Sequence, residues 1–264
     1  MLLQFKIRFW QWPNILAIDA ALIALLWHLV FATISGQDAS FATASVLSLS
    51  VWLTYTADRL FDVAKLPADR LHSLRHRFTK RHTKTLWKLW FITLIIDLSI
   101  ALIGLKTYQL LQGVVLLVFC LLYTGLNQKL SNRFFPKELC VAIIYAAGVI
   151  VFLLPTTELW IAAGFLMLLC LINCLIISFN ERDIDDTMKT RSIARFVPRL
   201  PIVLYACCIS MLGILKQQWL LPFGVSLTTL MLVHTLRKRL SIESFRVLAD
   251  ATLLAGPLLT LLIA

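Results

Sequence analysis

Residues 86–105, LWKLWFITLIIDLSIALIGL, and residues 108–126, YQLLQGVVLLVFCLLYTGL, are two nearly continuous apolar runs separated by Lys106 and Thr107. A bilayer core of ~30 Å needs about 20 apolar residues in a helix, and each run meets that length. Neither alternates polar and apolar residues with the period of a transmembrane strand, so both read as helices. The same ruler marks seven more such segments, and the full set runs near 14–34, 39–60, 86–105, 108–126, 137–155, 158–180, 200–215, 218–235 and 247–264. The expected architecture is all-α: a single polytopic membrane domain of nine helices over residues 1–264, with cap loops at 61–85 and 181–199.

Composition agrees. Of 264 residues 59% are hydrophobic and 15% charged, where a soluble domain carries roughly 25% charged residues. An ordinary soluble enzyme, a disordered chain and a nucleic-acid-binding domain are excluded, although the net charge is +11. The charge has a side. With nine spans, all but Lys106 and Lys216 of the 25 Lys and Arg fall on one membrane face. The positive-inside rule places that face, with the N-terminus, in the cytoplasm, which in a bacterium means the inner membrane. The apolar run after Lys6 and Arg8 contains Asp19 and leads straight into the next span, so it reads as a retained helix rather than a signal peptide. Trp10, Trp12, Trp87 and Trp90 near one boundary, and Trp160 and Trp219 near the other, read as an aromatic belt. Trp27 and Trp52 read as packing. The six cysteines lie in apolar runs without a CxxC pair and read as packing residues.

Two acidic clusters close spans on the charged face: Thr54-Tyr55-Thr56-Ala57-Asp58-Arg59-Leu60-Phe61-Asp62, and Glu181-Arg182-Asp183-Ile184-Asp185-Asp186. Each places two carboxylates four residues apart, Asp58/Asp62 and Glu181/Asp185, hence on one helix face where like charges repel. A cation between them is expected. Hard oxygen donors suit Mg²⁺, which binds through a few carboxylates plus substrate phosphates. The basic stretch that follows the first cluster, including Arg70, Arg75 and Arg77, serves membrane headgroups, and a subset is placed to clamp a diphosphate. Inside the spans Asp19, His28, Asp97, Asn173 and Asp250 are costly and are expected to face the bundle interior or a wet cavity.

This pattern resembles the UbiA superfamily of intramembrane prenyltransferases. Residues 54–62 are similar to its NDxxDxxxD motif, with Asp58 and Asp62 matching while Thr54 and Tyr55 replace Asn and Asp. Residues 181–185 are similar to its DxxxD motif, with Glu181 in place of the first Asp and Arg182 and Asp183 in keeping with it. Tyr123 to Lys129 is similar to the Tyr-x-x-x-Lys patch, with the lysine two positions late. The resemblance implies Mg²⁺ on Asp58, Asp62, Glu181, Asp183 and Asp185. Arg59, Arg70, Arg75, Lys129 and Arg182 would contact the diphosphate, and Tyr55 and Tyr123 would face the acceptor and the allylic cation. The implied reaction moves a prenyl group from a prenyl diphosphate to an aromatic or lipid-like acceptor, among membrane lipids and with no obligate protein partner. A UbiA-type terpene cyclase, acting without acceptor, is the nearest alternative. A CDP-alcohol phosphotransferase requires an Asp-Gly pair that this chain lacks. A transporter would place Gly or Pro breaks at matching mid-membrane positions of two halves, whereas most prolines here lie at span ends.

Overall fold

The structure, a computed structural model, describes residues 7–65, 71, 73–130, 136–182, 197 and 199–263. These form α-helices and two short 3-10 helices, and no strand occurs among the described residues. In chain order the helices are α1 (Trp12–Ile15), α2 (Ile18–Ile34), α3 (Phe41–Lys65), α4 (Leu74–Arg81), α5 (Thr83–Gly104), α6 (Thr107–Leu130), α7 (Lys137–Ile150), α8 (Thr157–Asn180), α9 (Leu200–Leu212), α10 (Gln217–Thr235) and α11 (Ile242–Ile263).

Each of the nine apolar segments overlaps one of these helices or, for the first, the pair α1 and α2. Four helices are by themselves long and apolar enough to cross a membrane: α5, α6 as far as Asn127, α8 and α11. A fifth span results if the bent unit 9–34 is counted as one crossing, its two parts meeting at 77°. The chain is an integral membrane protein. The outward faces of α5 and α6 support this, since Ile95, Leu102, Ile103, Leu111 and Leu121 are all more than 60% exposed, a surface suited to lipid and not to water.

Helix boundaries follow local chemistry. The Thr156 hydroxyl accepts from the Leu159 amide to open α8, and Ser73 does the same for α4 through the His76 amide. The bend between α1 and α2 turns on Ala17, which holds φ +57°, the left-handed region that L-residues disfavour.

The core is aromatic where α2, α8 and α10 meet. Phe223 stacks on Trp27 at 4.8 Å and lies 4.5 Å from Phe165, while Phe31 meets Trp219 edge-on at 4.7 Å. Trp27 is fully buried and donates from its indole to the Leu253 carbonyl of α11. Trp219 departs from its expected place in an aromatic belt. It is buried against Phe31 and Phe223 and donates to Glu158, because the turn of α10 that carries it packs inward. Trp160, by contrast, is exposed. All six cysteines are free thiols.

Candidate active site

The C-terminal ends of α3 and α8 and the N-terminal ends of α7 and α11 lie at the same end of the bundle, beside the polar helix α4. A cavity of about 240 Å³ opens between them and runs inward along α2. Its mouth carries Asp58, Arg75, Lys137, Glu138, Glu181 and Arg246, and its deeper wall carries Asn14, Asp19, Tyr55, Tyr123, Tyr145, Asn173 and Asp250. The two acidic clusters, far apart in sequence, therefore share one cavity through Asp58 and Glu181.

Glu181 closes α8 and takes a guanidinium on each oxygen: Arg246 on Oε1 at 2.5 Å and Arg75 on Oε2 at 3.3 Å. Arg246 is fully buried and also pairs with Glu243 one turn earlier on α11. The result is a fixed pair of arginines at the mouth, the arrangement that matches a phosphate group by bidentate contact. Ser178, one turn inside, donates to Glu138 at 3.2 Å and ties α8 to α7.

Arg59 is buried between α3 and α1. Its Nη1 donates to the carbonyls of Asn14 and Ile15 at 2.7 and 2.8 Å, the unsatisfied acceptors at the end of α1. Asp62, one turn after Asp58, is not on the cavity wall and faces His76 of α4 at 3.9 Å. Burial, and next to it the charge of Arg75, pushes the His76 imidazole well below its ordinary value. His76 is thus neutral at physiological pH, and its contact with Asp62 is not an ion pair there.

Tyr55 and Tyr123 both reach the cavity, from α3 and α6. Lys129 and Arg182 are exposed and off the cavity wall. Arg70, Asp183 and Asp185 lie outside the described residues.

Of the costly intramembrane residues, Asp19, Asn173 and Asp250 meet in this cavity. Asn14 donates to Asp19 at 2.7 Å and to Asp250 at 3.0 Å, and Asn173 donates to Asp250 at 2.8 Å. Asp97 instead accepts from Ser50 between α3 and α5, and His28 is hydrogen-bonded to the Val149 carbonyl at 2.7 Å. Sequence reasoning passed over Asn14, Lys137, Glu138 and Arg246. The available signal was Arg246 itself, four residues before Asp250 and so on the same face of α11.

The donor chemistry suits Mg²⁺: carboxylate oxygens at the mouth, beside guanidiniums that would take a phosphate. Asp58 stands on the cavity wall, while both oxygens of Glu181 are held by arginine. Among the described residues no group of three His, Cys, Asp or Glu side chains converges on one point. The further acids of the set, at 183 and 185, fall outside the described residues.

No family model matches the sequence, and no curated protein matches it. Among solved structures, the apo structure of a UbiA homolog from Aeropyrum pernix K1 is similar, with a TM-score of 0.67 at 17% sequence identity. The likeness covers 92% of this chain and 97% of that one. At that identity it speaks for architecture, and over nearly the whole length of both chains: this protein has the fold of that UbiA homolog.

Proposed function

We propose that the protein is an Mg²⁺-dependent intramembrane prenyltransferase. It would transfer a prenyl group from a prenyl diphosphate to an aromatic or lipid-like acceptor, within a bundle of nine spans whose charged face is cytoplasmic. The observation that carries this reading is the meeting of Asp58 with the Arg75–Glu181–Arg246 cluster at the mouth of a cavity in an otherwise apolar bundle.

Asp58, with Asp183 and Asp185, would hold the metal, and Asp62 would reach it only by turning from His76. When bound, Mg²⁺ supplies neutralisation of the charge that builds on a departing diphosphate. Arg75 and Arg246 bind the diphosphate from the protein side. Glu181 fixes both guanidiniums, so that they meet the leaving group without reorganising. Arg59, beside Asp58 on the cavity wall, and Arg70 complete the candidate diphosphate contacts, whereas Lys129 and Arg182 lie off that wall. The apolar walls keep water from the allylic cation, and the rings of Tyr55 and Tyr123 face it from the deeper wall.

The test is diphosphate release by the purified chain in detergent. It would be offered short- to long-chain prenyl diphosphates with and without Mg²⁺, and with and without a membrane-lipid extract as acceptor source. Release that needs both Mg²⁺ and extract is expected. Release without extract would replace transfer by cyclisation or hydrolysis. No release at any chain length would overturn the enzyme reading and leave transport as its successor.

A further inference from the structure

Below the arginine mouth the cavity changes character. Asn173 lies eight residues inside Glu181 on α8, about 12 Å at the helical rise, and Asp250 lies one turn inside Arg246 on α11. Asn173 is 5% exposed and lines the cavity. Its Nδ2 is committed to Asp250 at 2.8 Å, which fixes the orientation of the amide and leaves Oδ1 turned elsewhere. That oxygen is buried and has no hydrogen-bond partner. A buried orphan acceptor on a cavity wall is costly and points to a missing donor.

The groups around it repeat the same polarity. Asp250 and Asp19 are bridged by the single amide nitrogen of Asn14, which spends its two hydrogens on their two carboxyls. The Tyr145 hydroxyl, also on the cavity wall, is spent on the Ala20 carbonyl, to which it donates at 2.7 Å. Arg75, Arg246 and Lys137 belong to the mouth, and Arg59, which also lines the cavity, commits Nη1 to the carbonyls of α1. The floor therefore offers carboxyl and amide oxygens, two acids against the one guanidinium of Arg59.

We propose that this floor, Asn173 with Asp250 and Asp19, is the acceptor subsite, and that it selects an acceptor presenting a neutral hydroxyl or amino donor and no carboxylate. The donor satisfies Asn173 Oδ1 and a neighbouring carboxyl oxygen, while a carboxylate on the acceptor meets two acidic side chains against the one guanidinium of Arg59, in a site with little water to screen them. Describing the ligand as an acceptor rests on the transferase reading. The selectivity of the floor does not.

The test is equilibrium binding, by calorimetry on the full chain in detergent, of two probes that differ by one group: naphthol and hydroxynaphthoate. Naphthol is expected to bind saturably and at least about tenfold more tightly than hydroxynaphthoate. Asn173→Leu is expected to weaken naphthol by about tenfold, and Asp250→Asn to narrow the preference between the two probes. Equal or tighter binding of hydroxynaphthoate by the unaltered chain overturns the proposal, as does failure of naphthol to bind. These outcomes need no variant to fold. Discrimination without diphosphate release from any prenyl diphosphate would sink the transferase reading and keep the subsite, and release without discrimination would do the reverse.

Discussion

Arg246 Nη1 lies 2.5 Å from Glu181 Oε1, joining the first turn of α11 to the end of α8 between two side chains that are both more than 90% buried. Arg75 of α4 reaches the other oxygen. Removing one partner of a buried pair leaves the other charged and dry, which costs about 3–5 kcal/mol. Arg246→Met should therefore destabilise the purified protein by about that amount in detergent unfolding. Glu181→Gln, which keeps the shape and one acceptor oxygen, should cost less. Equal stability of Arg246→Met and the parent would show that the contact adds nothing net.

Ala17 and Arg59 together hold the bend between α1 and α2. A left-handed conformation costs an L-residue roughly 1–2 kcal/mol, a cost glycine escapes. Ala17→Gly should leave stability unchanged or raise it by up to about 1 kcal/mol, after the entropy of the glycine is set against it. Ala17→Val should lower it. Arg59→Met removes both hydrogen bonds to the end of α1, at about 1.5–3 kcal/mol for each charged donor contact. Unfolding midpoints of the three variants would check the order Gly, parent, Val, Met.

Gly256 sits where α10 and α11 cross. A Cβ there would lie 1.9 Å from the Pro222 carbonyl oxygen and 2.5 Å from Ser226 Oγ. Backbone cannot give that distance, and close crossings in membranes depend on such small residues. Gly256→Ala should force the helices apart, at 1–3 kcal/mol or more by the usual cost of overpacking, about what a marginal helix pair can bear. Gly125→Ala and Gly164→Ala, with nothing within 4 Å of the added carbon, are the controls and should extract and elute like the parent. Loss of the monodisperse peak in all three would remove the crossing as the cause.

The helical segments were legible in the sequence because a membrane helix must satisfy its backbone internally and keep its side chains apolar over a fixed length. That constraint is local, so 158–180 reads almost to the residue as α8. Direction of facing is not local. Trp219 carries the signature of an interfacial tryptophan, and only the docking of α10 on α2 turns it inward. The site divides in the same way. Spacing alone put Asp58 and Glu181 forward, and both reach the cavity. The hydrogen bonds from Asn14 and Asn173 to Asp250 depend on three helices from distant parts of the chain. Sequence could mark Asp250 and Asn173 as costly but could not say that they answer each other.

Asp58 gives the sharpest trial of the chemistry. It stands on the cavity wall, half-buried, one turn before Asp62 and across from the arginines fixed by Glu181. Asp58→Asn keeps the volume and removes the charge that a divalent cation would need. Diphosphate release should fall by on the order of a hundredfold or more, the scale seen when one preorganised electrostatic contact to a transition state is lost. Chelation of divalent ions should stop release by the parent outright, and Mg²⁺ should restore it. The unfolding midpoint of Asp58→Asn should stay near the parent's, because the aromatic core of α2, α8 and α10 lies away from it. Parental turnover in Asp58→Asn, measured at limiting Mg²⁺, would remove this carboxylate from the mechanism and with it the motif on which the metal assignment begins.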